Sequence, residues 1–500
     1  MSGVDSVFLA SSRADELDRP PMATRQQLDR VIGFRDYFSI GFGVIIGVGW
    51  VVYAGQWVMS GGVIGAMLAF VIGGSMLVPV GKCYAELTAA LPLTGGEVAF
   101  TFKAFGALAS FLTAWALALL YIFLTPFETI AAGAMVESIA PAMISEPLYT
   151  VGGYDIAWSN IVPGLIAGVC VVWLNWRGAR DTARLQTLMT TGLLAATTIF
   201  GALAFWRGEI SNLWPLFSAS GAWWAVAPAS IASVLVVVPF FLAGFDTIPQ
   251  AAEEAGLKVR PRQLGSAIVA TIIVGTLFYV VIILALGLSV SREELGSIVG
   301  QKGVLPMAFV FRVSFGYEWA AQLVLFAALL GIMSTLNGTF MAAVRLLFAL
   351  GRGGLLPHWF GKLQSQRQTP ANAVKFVGAI ALIGPLVGKA GLMVIVNAGS
   401  LALSAVMLVV AVAAKRLRTS APDLDRPYKA APMTIWAAIM MGVFLVGLMT
   451  IPGSPGQLGA QEFICVGIWM ALGAFFYLVR QKQDPVDPEE QACQILGDYR

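Results

Sequence analysis

Little in this sequence can make or break a covalent bond. There is one histidine, His358, and the four cysteines, Cys83, Cys170, Cys465 and Cys493, lie far apart with no C-x-x-C pair. A zinc site, a haem ligand pair or a Ser-His-Asp triad needs more histidines or clustered thiols. No metal, no cofactor and no enzymatic activity is therefore expected. The residues able to do chemistry are of another kind: two acids placed inside long apolar runs, Glu128 after Pro126, and Asp246 between Pro239 and Pro249. A carboxylate at the centre of a bilayer costs about 2.5–3.5 kcal/mol, so such acids face a cavity or a partner. Glu128 stands about eight residues, or about 12 Å of helix, from the outer end of its run. His358 falls in a polar loop and reads as solvated.

The elements that must carry these residues follow from composition. The 500 residues are 58% hydrophobic and only 12% charged, with a net charge of +3. A soluble domain carries about 25% charged residues. This excludes a nucleic-acid binder, a disordered chain and a secreted disulfide scaffold. The chain reads as an integral membrane protein whose first partner is the lipid bilayer. Its polar start has no short apolar stretch followed by a cleavage site, so no signal peptide is expected to be removed.

Apolar runs long enough to cross about 30 Å of hydrocarbon need about 17–25 residues. Twelve are present: 37–60, 63–81, 107–136, 159–176, 185–206, 230–252, 264–288, 318–344, 372–388, 391–414, 432–451 and 461–479. Runs of this length must be helices, because backbone groups cannot stay unpaired in lipid. With both termini inside, and Lys375 at the inner end of span nine counted as inner, 26 of the 31 Lys and Arg fall on inner segments and 5 on outer ones. That bias predicts cytoplasmic termini in a cytoplasmic membrane. No phosphate-cradling G-x-x-x-x-G-K-[ST] loop marks a nucleotide-driven pump, and no T-V-G-Y-G filter marks a potassium-type channel. Major-facilitator carriers commonly join two halves by a long loop, whereas only residues 253–263 separate spans six and seven here. A secondary transporter is the favoured reading.

Two of these helices cannot run unbroken. In span one, Gly41, Gly43, Gly47 and Gly49 alternate with β-branched residues, a weak helix by local propensity. The Gly47-Val48-Gly49 triplet lets the backbone unwind and expose its amides, although Gly43 and Gly47 also make a close-packing G-x-x-x-G pair. In span six, Pro239 interrupts the helix. Thr247-Ile248-Pro249-Gln250 then reads as a new start, with Glu253 and Glu254 following. Asp246 also reads as a cap for that restart. Spans one and six open two sets of five helices, and an odd number inverts the second set. Broken helices at matching places of an inverted repeat are the mark of alternating-access carriers. The predicted units are 1–36, an inner segment; 37–206, the first five-helix repeat; 230–414, the inverted second repeat; 432–479, two further helices; and 480–500, an inner tail.

Five motifs, in order along most of the chain, carry a resemblance. They are Gly43-Val44-Ile45-Ile46-Gly47-Val48-Gly49, Leu91-Pro92-Leu93-Thr94-Gly95-Gly96-Glu97, Phe240-Phe241-Leu242-Ala243-Gly244-Phe245-Asp246 with Glu253-Glu254, Arg352-Gly353-Gly354-Leu355-Leu356-Pro357 with Thr369-Pro370, and Arg426-Pro427-Tyr428-Lys429. Together they resemble the amino acid–polyamine–organocation permeases, whose fold is LeuT-like. The resemblance implies an all-α protein with about twelve membrane helices, a 5+5 inverted repeat with helices 1 and 6 broken, and two extra helices. It implies that the amides of Gly47, Val48 and Gly49 hold a substrate carboxylate, with Ile45 lining the pocket. Carbonyls of Phe240, Leu242 and Ala243 would hold its amino group, with Gly244 giving room for the turn. Phe240 would close over bound substrate.

Two positions depart from the family pattern. The family serine of G-S-G is Val48, so a hydroxyl near the carboxylate is missing; this admits a substrate without a carboxylate, such as an amino alcohol or a polyamine. The lysine that some proton-coupled members carry in span five is Leu193, and that span has no basic residue. The expected substrate is an amino acid or related organic amine, moved together with a proton. Asp246 and Glu128 are the coupling candidates, because burial favours the neutral form of a carboxyl. Ser334 and Thr335 in span eight, with carbonyls of span one, offer a sodium site as the lesser alternative. An amine exchanger is a further alternative, and a more distant reading is a receptor that binds an amine without moving it.

Overall fold

The structure is a computed structural model and describes residues 25–219, 221–299, 305–388, 392–483 and 485–500. Most of the predicted N-terminal segment, residues 1–24, lies outside the described residues, as does residue 391 at the start of span ten. Almost everything described is helix. In order the elements are α1 (Phe34–Ile45), α2 (Gly49–Ala90), α3 (Glu97–Phe105), α4 (Ala107–Ile139), α5 (Trp158–Arg177), α6 (Ala179–Arg207), α7 (Trp223–Leu235), α8 (Val238–Phe241) and α9 (Thr247–Gln250). There follow α10 (Pro261–Ser289), α11 (Arg292–Ile298), α12 (Pro306–Phe315), α13 (Glu318–Arg352), α14 (Ala371–Val387), α15 (Leu392–Ser420), α16 (Pro432–Thr450), α17 (Ala460–Gln483) and α18 (Pro488–Leu496). One hairpin, β1 (Pro147–Val151) paired antiparallel with β2 (Tyr154–Ala157), sits between α4 and α5.

Nine helices among the described residues are long and apolar enough to cross a membrane. Backbone polar groups in hydrocarbon must be paired within the segment, and the long helices do this. α2 covers the end of the first predicted span and the whole of the second, bent at Gly62. The predicted breaks are where the helices stop. α1 ends at Ile45, and α2 begins at Gly49. The sixth run divides into α7, the single turn α8 with Pro239 in its first positions, an irregular stretch, and the short α9.

The core lies where α1, α4, α6, α10 and α13 meet around those breaks. α10 packs extensively on α2, α13 on α4 and α6, and α15 on α4. α17 is held at one place by a reciprocal indole clasp. Trp115 and Trp469 stack at 4.5 Å, each donating its ring N–H to the other's carbonyl, at 2.8 and 2.7 Å.

The end of the bundle that carries Glu253 and Glu254 is bound by charge. Arg345 donates twice to Glu254, at 2.8 and 3.0 Å. Arg352 donates twice to Glu253, both at 2.9 Å, and Arg25 donates to the same carboxylate at 2.9 Å. Burial opposes the Glu253 charge, but the two guanidinium groups and the Thr94 amide hold its carboxyl down at about 2. The Gly95-Gly96 turn joins the same cluster. Both glycines have positive φ, and a β-carbon on either would stand within 2.4 Å of Ala349 or Pro249. A side chain there would push the loop off the two helices it wedges between. The Glu254 carbonyl also accepts from the amides of Val31 and Ile32, both at 2.9 Å.

The side chains of Arg345 and Glu254 are each only 3% exposed. Arg345→Ala should therefore lower stability by about 3–5 kcal/mol, because it strands a buried carboxylate. The paired change Arg345→Met with Glu254→Leu should recover most of the loss in thermal unfolding of the detergent-purified protein. Equal losses in the single and paired variants would show that packing, not charge, matters there.

Candidate functional site

The two interrupted helices touch at their breaks, and glycine permits the approach. A β-carbon on Gly244 would stand 2.8 Å from the Ile45 amide and 3.0 Å from its side chain. One on Gly49 would stand 2.4 Å from the Phe241 ring. Ile45 is buried, its carbonyl accepts a hydrogen bond from Tyr279 at 3.0 Å, and its side chain packs toward Gly275 of α10. In the span-one break the amides of Gly47 and Val48 donate to no protein acceptor among the described residues. In the span-six break the Phe240 carbonyl accepts from Ala243 at 3.2 Å. The carbonyls of Leu242 and Ala243 accept nothing among the described residues. Unused donors and unused carbonyls thus lie on two adjoining stretches of backbone. Such an arrangement can take up an anionic group and a cationic one together.

Glu128 of α4 borders the same place. A β-carbon on Gly47 would stand 3.0 Å from Thr335 Oγ1 and 3.8 Å from Glu128 Oε1. The carboxyl is buried, and its Oε2 has no hydrogen-bond partner among the described residues. A buried polar atom without a protein partner calls for another occupant.

Asp246 has a different job. It stands at the N-terminal end of α9 without making a side-chain cap there. Its Oδ1 accepts from the Gly244 amide at 2.8 Å, and its Oδ2 accepts from the Tyr121 hydroxyl at 2.5 Å. It therefore fixes the shape of its own break and ties it to α4. Thr247, the residue expected to start the new helix, donates its hydroxyl back to the Gly244 carbonyl at 2.6 Å.

Several residues of this neighbourhood escaped the sequence reading. Phe241, next to the Phe240 singled out from sequence, is the ring that packs toward the start of α2. It lies 4.8 Å from Trp57 and 5.7 Å from Tyr53, while Phe240 meets it edge-on and is 41% exposed. Two adjacent phenylalanines differ only in the side to which the turn directs them, which no local pattern specifies. Glu97, the last residue of the Pro-Leu-Thr-Gly-Gly-Glu loop, is buried and accepts from Gln250 at 2.5 Å. Burial, and then the nearby Asp246 carboxylate, push its carboxyl up to about 8. Its only signal in sequence was an acid ending a glycine turn. Ser334 and Thr335 are buried on α13, and Thr335 donates toward the carbonyls of Gly43 and Val44 at 3.2 and 3.4 Å.

An all-α polytopic membrane protein with two interrupted helices facing one another is the class that fold and site define. The chain belongs to the amino acid permease family, whose sequence profile matches residues 32–475. It is 25% identical over 470 residues to the branched-chain amino acid permease BcaP of Bacillus subtilis (strain 168), covering 92% of this chain and 94% of that protein. It is 24% identical over 468 residues to the methylthioribose transporter of the same organism, covering 92% and 95%. The Asc-type amino acid transporter 1 of Mus musculus is 26% identical over 368 residues, covering 72% of this chain and 65% of that one. The chain is a permease and not an enzyme.

Two outcomes check this geometry. Gly47→Val should abolish substrate binding in a protein that still folds, since the branched side chain would fill the space bordered by Thr335 and Glu128. Affinity within a few-fold of wild type would place the site elsewhere. The Glu97 carboxyl is raised above its ordinary value of 4.5. Its contribution to stability is therefore fully present below about 4.5 and is lost as pH rises through about 8. Melting temperature should fall across that window in wild type, and Glu97→Gln should flatten the fall.

Proposed function

We propose that this permease is a secondary active transporter. It carries an amino acid or related organic amine across the cytoplasmic membrane by alternating access, with both termini inside and a proton moving with the substrate. The observation that supports the proposal is that the Glu128 carboxyl, whose Oε2 has no partner among the described residues, borders Gly47, whose amide and that of Val48 donate to no acceptor among them. In this reading the amides bind the substrate carboxylate, and the Leu242 and Ala243 carbonyls bind its amino group. Ile45, Gly49, Phe240 and Gly244 shape the surround.

Glu128 supplies the hydroxyl that Val48 lacks. As a neutral acid it donates a hydrogen bond to the substrate carboxylate. As an anion it repels that group, and in a low-dielectric site the repulsion is strong. Carboxylate and proton must then arrive and leave together, which is symport. Asp246, tied to Tyr121 and Gly244, would transmit a protonation change to the shape of the span-six break, with Glu97 beside it. The relatives named as amino acid transporters support an amino acid as the first substrate class to test.

A second reading is favoured by one residue. Val48 leaves the first break without a side-chain hydroxyl, and a relative is named as a transporter of methylthioribose, which has no carboxylate. An ionised Glu128 would then pair directly with a cationic amine such as a polyamine or an amino alcohol.

The test is uptake into proteoliposomes from a radiolabelled panel of amino acids, polyamines and amino alcohols. An acid-outside pH jump in sodium-free medium should drive concentrative uptake of at least one of them. Glu128→Gln keeps a donor to the carboxylate but has no titrating proton. It should retain counterflow of a carboxylate substrate and lose the response to the pH jump. Uptake that requires sodium and ignores pH would overturn proton coupling, and binding without accumulation would favour a receptor.

A further inference from the structure

A cavity of about 360 Å³ lies beside the Arg352–Glu253 pair, and stretches of chain far apart in sequence enclose it. The end of α13 and the loop after it, as far as Lys362, form one wall. The tail from Pro485 to Gln494 forms the other, and Gln26 stands at the edge. Sites for small molecules are cavities of about 300–1,000 Å³. Both walls are held in place. Gln491 of α18 donates to the Gly353 carbonyl at 3.0 Å, and Arg25 donates to the Gln494 carbonyl at 3.2 Å. A β-carbon on Gly353 would stand 2.5 Å from Ile495, and one on Gly354 would stand 2.7 Å from Val486. Glycine at both positions is what lets the tail lie this close. Arg480 of α17 meets His358 Nε2 at 2.7 Å. A guanidinium can only donate, so the ring accepts there. His358, read from sequence as a solvated loop residue, thus ties the loop to α17.

The two walls differ in what they leave over. Arg352 is committed to Glu253 and to the Gln26 carbonyl, and so is not available to a ligand. Lys362 lines the same wall, and among the described residues its ammonium has no ion-pair or hydrogen-bond partner. Gln26 adds a directed donor. Its Oε1 accepts from the Leu363 amide at 3.1 Å, which leaves the NH2 group as its free end. On the tail wall the Glu490 carboxylate likewise has no partner among the described residues. An ammonium and a carboxylate therefore border one cavity without pairing with each other. A ligand that is only an anion would leave Glu490 unmatched, and one that is only a cation would leave Lys362 unmatched. A molecule carrying both charges satisfies both walls.

We propose that this cavity is a second ligand site, distinct from the junction of the two breaks, and that it takes a free zwitterionic amino acid. Lys362 and the Gln26 amide hold the α-carboxylate, Glu490 holds the α-ammonium, and the rest of the cavity takes the side chain. No residue lining it belongs to either break. The bound molecule bridges the tail to the loop after α13, the loop that Arg352 ties to Glu253 at the end of span six. In the orientation proposed above this is the cytoplasmic side. That the ligand is of the same class as the cargo, and so acts as an effector, rests on the transporter reading; the binding itself does not.

The test is equilibrium binding of the common amino acids, each tritiated, to the purified full chain. Gly47→Val closes the junction of the breaks, so binding that remains in this background reports the cavity. At least one amino acid should still bind, at one equivalent per chain, and should raise the melting temperature. Lys362→Gln and Glu490→Gln, each added singly, should weaken that binding about tenfold or more, because each removes the charge partner of one end. Propionate and ethylamine, which each carry one of alanine's two charged groups, should not displace the label. If Gly47→Val does not fold, the otherwise wild-type protein carries the same test, and Lys362→Gln should lower its stoichiometry by one equivalent per chain. Three results would overturn the proposal: no amino acid bound by folded Gly47→Val, binding unchanged by Lys362→Gln and Glu490→Gln, or displacement by propionate or ethylamine as effective as by alanine. Because no arm measures transport, failure here is separable from failure of the transporter reading, which the proteoliposome experiment decides.

Discussion

An amide or carbonyl without a partner inside hydrocarbon costs several kcal/mol, and this permease interrupts two helices where that penalty applies. The rest of the structure can be read as the set of devices that make the interruptions tolerable. Tyr279 satisfies the Ile45 carbonyl, Asp246 satisfies the Gly244 amide, and Thr335 reaches the carbonyls of Gly43 and Val44. What these side chains leave unused among the described residues, the amides at 47 and 48 and the carbonyls at 242 and 243, lies on two adjoining stretches of backbone.

The same constraint accounts for where the acids are. Among the described residues Glu128 borders Gly47 and keeps an oxygen without a partner, whereas both oxygens of Asp246 are engaged, by Tyr121 and Gly244. Two carboxyls that look alike in sequence are thereby set in different surroundings, one bordering the first break and the other holding the turn of the second. Glu253 and Glu254 belong to a third category. Each receives two hydrogen bonds from an arginine, and together they tie the end of span six to α13 and to the segment before α1.

The polar chain from Asn175 through Asn337 to Gln186 links three helices to the first break without using any formal charge. A full charge at that depth would demand a counter-charge or an ion. Amides need only be matched donor to acceptor, and the carbonyls of Val171, Thr182 and Ser39 enforce the match. The result is a polar contact that survives on its own stoichiometry.

Much of this was determined by local chemistry that a linear reading can reach. Apolar run length specifies helices in lipid, the glycine triplet at 47–49 and the prolines at 239 and 249 specify where two of them fail, and the motif order specifies the family. Glu128 and Asp246 were visible because an acid in an apolar run is rare and costly. What the sequence did not contain is direction. Whether Phe240 or Phe241 faces the start of α2 depends on the rotation of a one-turn helix. That Glu97 is buried beside Gln250 depends on how the Gly95-Gly96 turn wedges between Ala349 and Pro249. Gln186 looked like any polar residue near a helix start, and its contacts exist only because Ser39, Ser334 and Asn337, between 147 and 151 residues away, converge on it. Contacts of that separation are created by packing, and packing is decided by the whole bundle at once.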